Sequence, residues 1–230
     1  KTLDSFDIDT VSADNYKKIE SPSGKWTKYF LSKEKIRAIK KIESNKEIKK
    51  LGSLAEVDVG IVTGANKFFV VNSKTLQEYN LKKISLPLVG RSMHISGLIF
   101  EESDWKNNEQ KGIASYLLDF PDDKFKDYPK KMQEYIKLGE RLGIQNGYKT
   151  GIRDRWYHVP SISKSDGFLL RRSHKFPKLI LNKIGAYTTD TMHRVKMKPK
   201  TDHPSLVFCF YNSITLAYTE LIGRSHGGGV

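Results

Sequence analysis

The chain has 230 residues, with 40 Lys and Arg against 26 Asp and Glu, a formal net charge of +14. A hydrophobic content of 38% supports a packed core, and a charged content of 29% points to a loop-rich globular protein rather than a disordered one. No apolar run reaches the roughly 20 residues that span a bilayer. The single cysteine excludes an internal disulfide and a Cys-rich zinc site.

The cationic surplus favours polyanionic partners, because Lys and Arg neutralise phosphates. The plainer alternative is a soluble basic surface. The chain begins at Lys1 without an initiator Met and is expected to be a piece of a longer polypeptide. At roughly 100–200 residues per domain, it holds one large or two small domains.

Residues 1–15 are polar, carry four Asp and read as a linker or arm. Lys25 to Leu31 alternates aromatic and polar residues, as a short strand does. Ser32 can cap a helix running through about Lys50, with Ile36, Ile39 and Ile42 on one face and a break near Ser44-Asn45. Ala55 to Val62 reads as a strand. It is followed by a turn at 63–66 and a second strand at Phe68 to Val71, together a hairpin. Ser73 to Tyr79 reads as a short helix, and Ile84 to Val89 leads into Gly90-Arg91-Ser92.

Residues 101–111 read as a polar loop, and Ile113 to Leu118 as a short apolar segment. Tyr128 to Leu142 has helical spacing at Met132, Ile136 and Leu138, bounded by Pro129 and Gly143. Gly147 to Pro160 is a basic, aromatic loop. Short strands are expected at Phe168 to Leu170, Leu179 to Leu181 and His193 to Val195, and a buried helix pair or one bent helix at 204–223. Helices and short strands without regular alternation predict an α+β fold. The expected division is an arm with a first strand over 1–31 and a single domain over 32–230.

Catalytic constellations are absent. There is no P-loop, no Gly-x-Ser-x-Gly elbow and no His-Glu-x-x-His. His94, His158, His174, His193, His203 and His226 are scattered without ligand spacing, so no metal site is expected. Cys209 lies between Phe208 and Phe210 and reads as a buried structural thiol, suited to a reducing cytoplasm.

The positive signal is a basic stretch. Residues 147–200 hold thirteen Lys and Arg against three Asp, a local net charge of +10, interleaved with Tyr148, Trp156, Tyr157, Phe168, Phe176 and Tyr187. Lys and Arg can hold phosphates, Arg can fork to a guanine edge, and aromatic rings can stack or wedge against bases. Core packing is the competing role for these rings, and for Trp156 and Phe168 it is the preferred one.

The turn Gly60-Ile61-Val62-Thr63-Gly64-Ala65-Asn66-Lys67 is a second candidate. Its glycines let the backbone approach a ligand, and Thr63, Asn66 and Lys67 offer donors for phosphate or an adenine edge. A purely structural turn explains the same residues.

Four segments resemble the C-terminal specificity region of TaqI-like adenine DNA methyltransferases. In order they are residues 60–71 (GIVTGANKFFVV), 153–160 (RDRWYHVP), 192–195 (MHRV) and 221–230 (LIGRSHGGGV). The resemblance implies a target-recognition domain that faces the major groove of double-stranded DNA. It also implies an upstream methyltransferase domain that binds S-adenosylmethionine and extrudes the target adenine. No cofactor and no catalytic residue are therefore expected within this chain. The resemblance implies DNA-facing roles for Thr63, Gly64, Asn66 and Lys67 in the turn, for Arg153, Arg155 and Tyr157 in the basic loop, for Arg194, and for Arg224 and His226 in the last segment. The basic residues Arg91, Lys149, Arg171, Arg172 and Lys183 complete the expected surface. Two other classes fit parts of the pattern: a DNA specificity subunit acting in trans, and a basic RNA-binding or protein-interaction module.

Overall fold

The computed structural model describes residues 29–172 and 176–223. They fall into two compact units. The described part of the first is residues 29–49 and 217–223. Here Ser32 caps helix α1 (Lys33–Ser44), its hydroxyl accepting from the Lys35 amide at 3.4 Å. The helix stops before Lys50 because Asn45 turns extended, at φ −77° and ψ 113°, and its side chain accepts the Glu47 amide at 2.9 Å. Within the same unit the Tyr218 hydroxyl donates to the Ile39 carbonyl at 3.2 Å. The arm and most of the expected strand at 25–31 lie outside the described residues, and Tyr29 and Phe30 are 3-10 helical.

The second unit, Lys50–Leu216, opens with one helical turn, α2 (Leu51–Leu54), running into β1 (Ala55–Val59). Then come α3 (Asn66–Phe69), β2 (Val70–Val71), α4 (Ser73–Tyr79), β3 (Ser85–Pro87), β4 (Ile99–Phe100) and α5 (Glu102–Gln110). The chain continues through β5 (Tyr116–Leu118), α6 (Lys130–Arg141) and α7 (Tyr148–Gly151). It closes with β6 (Gly167–Leu170), β7 (Leu179–Asn182), β8 (Met192–Met197), α8 (His203–Phe210) and the start of α9 (Ser213–Ile222). This is an α+β fold, as the irregular succession of elements predicted.

A five-stranded sheet has the order β1-β8-β6-β7-β4, antiparallel except where β4 runs parallel to β7. A three-stranded antiparallel sheet has the order β2-β5-β3. Three apolar clusters stabilise them. One face of the large sheet carries Ala55, Leu179, Leu181, Val195 and Met197 under Val207 and Phe210 of α8. Tyr211 fastens the end of α8, its hydroxyl donating to the Leu179 carbonyl at 2.6 Å. The opposite face packs Phe168, Ile180 and Met192 against Val89, Ile95, Phe100 and Ala186. The third cluster is rich in aromatic side chains, with Phe68, Phe69, Phe120, Tyr128, Tyr135 and Tyr157 around α6.

Four expectations are corrected. Phe68 to Val71 is not a strand paired with β1. Both Phe amides donate to the Ala65 carbonyl, so 66–69 is a helical turn that buries both rings, and only Val70–Val71 is extended, paired with β5. Residues 101–111 are not a loop but contain α5, whose Asp104 accepts the Glu101 amide at 3.0 Å across the first turn. The helices over 204–223 are a pair, yet Val207 and Phe210 are the buried residues of α8 and none of α9 is buried. Cys209 is exposed, because α8 turns Val207 and Phe210 inward instead.

Buried Asn182 at the end of β7 holds the following loop. Its amide donates to the Ser165 and Ala186 carbonyls, each at 2.8 Å, and its carbonyl accepts the Ala186 amide at 3.1 Å. Leucine at this position would leave these buried backbone groups without partners, at about 1–3 kcal/mol each. Asn182→Leu is expected to lower the unfolding free energy by about 3 kcal/mol in urea denaturation. A change under about 1 kcal/mol would show that water replaces the side chain there.

Candidate nucleic-acid interface

The segment Ala186–Thr191 organises the loops beyond the end of β1. Gly60 donates its amide to Met192 at 3.0 Å, Ile61 donates to Thr188 at 2.8 Å, and Asp190 donates back to Ile61 at 3.2 Å. A Cβ on Gly60 would lie 2.0 Å from the Thr189 oxygen. This glycine's close approach therefore serves the protein's own backbone. The same segment receives the loop after β3. Val89 donates to the Tyr187 carbonyl at 2.9 Å, the Thr188 hydroxyl donates to Val89 at 3.0 Å, and the Thr191 hydroxyl donates to Gly90 at 2.8 Å.

On this support the turn is shaped by its own side chains. The buried Thr63 hydroxyl donates to the Asn66 side-chain carbonyl at 2.6 Å and accepts the Ala65 amide at 3.1 Å. Asn66 in turn donates to the Asp190 carboxylate at 3.3 Å. Gly64 has φ +80°, a left-handed conformation that favours glycine, and a Cβ there would meet Lys149 Cβ at 2.8 Å. Arg153 reaches across to the Val62 carbonyl at 3.1 Å. Burial pulls its guanidinium below the usual arginine value, although it keeps its proton. The turn and the basic loop, far apart in sequence, therefore form one structure.

Arg171, at the end of β6, donates to the Asp190 carbonyl at 3.2 Å. Asn66, Lys67, Arg91, Lys149 and Arg171 thus stand exposed on loops and short helical turns fixed around one segment, with Arg172 exposed beside Arg171. None of the ion pairs among the described residues engages Lys67, Arg91, Lys149, Arg171 or Arg172. Burial, then the neighbouring Arg91, hold His94 below the ordinary imidazole value, so it adds no charge at neutral pH.

Other expected DNA-facing residues have different places. Thr63 and Tyr157 are buried. Thr63 spends its hydroxyl within the turn, and Tyr157 is buried in the aromatic cluster with its hydroxyl on the Asp123 carbonyl at 3.3 Å. Arg155 is paired with Asp122, which raises its affinity for its proton. Arg194 lies within β8, 3.8 Å from Asp58 on the neighbouring strand and bonded to Ser163. Lys183 follows β7 at the opposite end of the sheet from Met192, 2.6 Å from Glu101. Arg224 and His226 lie outside the described residues.

Sequence reasoning missed the organising segment itself. Its signal was the run Thr188-Thr189-Asp190-Thr191 between Tyr187 and Met192, side chains suited to bonding with local backbone rather than continuing a strand. Among the described residues, no three His, Cys, Asp or Glu side chains gather as a metal would require. Nor is any single helix there long and apolar enough to cross a membrane.

The fold is an α+β domain with a cluster of basic residues on its loops and short helical turns, and its sequence places it in a family. Residues 23–230 match the family described as Type II methyltransferase M.Eco57I, C-terminal domain, and the chain belongs to that family. It is similar to the Type II methyltransferase M.AccI of Acinetobacter calcoaceticus, with 23% identity over 140 residues, 60% of this chain and 24% of that protein. The chain therefore matches about a quarter of that relative's length. Among solved structures, the type IIG restriction endonuclease BpuSI aligns with 74% of this chain and 21% of its own, at 14% identity and a TM-score of 0.44.

Proposed function

We propose that this chain is the part of a restriction-modification DNA methyltransferase that recognises double-stranded DNA. A methyltransferase domain upstream in the same polypeptide would bind S-adenosylmethionine and methylate the adenine amino group. The parent would act in the bacterial cytoplasm, where its DNA is.

One observation carries the reading. Lys67, Arg91, Lys149 and Arg171 lie on loops and short helical turns fastened to the single segment Ala186–Thr191, directly or through the turn, and among the described residues none of them forms an ion pair with a carboxylate. Lys67 and Lys149 suit phosphates as point charges, whereas Arg91 and Arg171 offer the planar fork that reads a guanine edge. Asn66 contributes less than its residue type suggests. Its carbonyl already accepts from Thr63 and one of its N–H groups is held by Asp190, so a two-bond adenine contact is left the remaining lone pair and the remaining N–H.

The test is binding of the full-length polypeptide to duplex DNA over a range of salt, with duplex RNA as competitor. The reading expects affinity to fall steeply with salt and duplex DNA to be preferred. Absence of duplex binding at low salt, or preference for RNA, would overturn it.

A further inference from the structure

Helix α7 and its cap hold two large apolar side chains in solvent: Tyr148 is 79% exposed and Ile152 is 69% exposed. They stand four residues apart, and Ile152 keeps helical backbone at φ −87° and ψ 0°, so both project from one face. The support beneath them is firm. Thr150 is buried, its hydroxyl bonded to the Gly147 carbonyl at 3.0 Å and to the Ile144 carbonyl. Gly151 donates to Gly147 at 2.7 Å and Arg153 donates to Thr150 at 3.2 Å. The Gly64 turn lies directly against Lys149.

The surroundings of the pair are cationic. The Lys149 ammonium lies 5.3 Å from the Tyr148 ring centroid, and exposed Lys67 follows the turn that Lys149 touches. Neither lysine meets a carboxylate among the described residues. An apolar protein surface would not complement that charge. A base-pair step does, since it offers apolar ring faces bounded on both sides by phosphates.

We infer that Tyr148 and Ile152 form a wedge that enters a step of duplex DNA, with Lys149 and Lys67 on the flanking phosphates. The inference rests on the DNA-recognition reading above and adds a deformation of the duplex to it. A wedge must unstack bases, so it favours DNA in which a step is already loosened.

The experiment compares full-length wild-type polypeptide, the double variant Tyr148→Ala/Ile152→Ser, and Lys149→Gln. Each binds a 30-base-pair duplex and the same duplex carrying one central mismatch. Wild type is expected to bind the mismatched duplex about tenfold tighter. The double variant loses that preference and keeps the slope of log affinity against log salt, because no phosphate contact is removed. Lys149→Gln keeps the preference while its slope becomes shallower by about one. If wild type binds both duplexes equally, or the double variant retains the preference, the wedge is overturned while the DNA-recognition reading stands. If wild type binds neither duplex at low salt, that underlying reading is overturned and the wedge with it. If the double variant lowers the thermal midpoint of the DNA-free polypeptide and leaves the mismatch preference intact, the pair is covered by protein, which also overturns the wedge.

Discussion

Phe68→Ala is expected to lower the unfolding free energy by about 4 kcal/mol, within the range for deleting a fully buried phenyl ring. Phe68 is a hub of the aromatic cluster. Its ring centroid lies 4.6 Å from that of Tyr135, 5.0 Å from those of Phe69 and Trp156, and 6.4 Å from that of Phe120. The Tyr135 hydroxyl also donates to its carbonyl at 2.7 Å. Packing around it is tight enough that a Cβ on Gly139 of α6 would meet its ring at 2.6 Å. Small domains are stable by about 5–15 kcal/mol, so the variant retains little margin. Phe68 also belongs to the helical turn bearing Asn66 and Lys67, so hydrogen exchange of amides 61–69 should accelerate with the loss. Urea denaturation measures the effect, and a cost below about 1 kcal/mol would show that the cluster collapses around the missing ring.

Gly60→Ala is expected to cost about 3 kcal/mol and to weaken duplex binding. The methyl group would sit 2.0 Å from the Thr189 oxygen and 2.7 Å from the Met192 oxygen. Those neighbours are backbone, so no side-chain rotation relieves the clash and the 186–191 segment must move away. That strains or breaks the bonds from Gly60 to Met192 and from Ile61 to Thr188. Overpacking a close-packed site costs about 1–3 kcal/mol, and each weakened buried hydrogen bond adds to it. Gly52→Ala is the control, since a Cβ there meets nothing within 4 Å. The expected result is a normal denaturation midpoint for Gly52→Ala and a shifted one for Gly60→Ala, with weaker DNA affinity in the latter alone. Equal behaviour of the two would contradict the role given to the 186–191 segment.

Features set by local chemistry were legible in the sequence. Ser32 caps α1 as its residue type predicts, and Met132 and Ile136 turn inward from α6 as their spacing predicts. The helix α5 was not legible, because it carries no apolar stripe. It is held largely through polar groups: the Trp105 indole donates to Ser115 and the Asn108 amide to His94, each at 2.9 Å. The run Phe68 to Val71 misled because aromatic and β-branched residues favour strands, whereas burial of both rings is better served here by a helical turn.

The basic residues of the site were likewise visible as a set, but their partners were not. Asp122, Glu101 and Asp58 lie far along the chain from Arg155, Lys183 and Arg194, and only the fold brings each pair together. Much of what made segments 60–71 and 153–160 distinctive is core. Ile61, Phe68, Phe69, Val71, Tyr157 and Val159 all pack in the aromatic cluster. Among the other residues of these segments, Asn66, Lys67 and Arg153 are tied to the turn and to the 186–191 segment through the bonds of Asn66 to Asp190 and of Arg153 to Val62.

The most direct test is the salt dependence of duplex binding by the full-length polypeptide, compared with Lys67→Gln/Lys149→Gln/Arg171→Gln and with Lys183→Gln/Arg194→Gln. If the loop cluster contacts phosphates, the triple variant should bind on the order of a hundredfold more weakly, with a slope shallower by about three. The second variant, whose cations are paired with Glu101 and Asp58, should keep the wild-type slope. A triple variant with the wild-type slope, or a larger loss in the second variant, would contradict this placement of the interface.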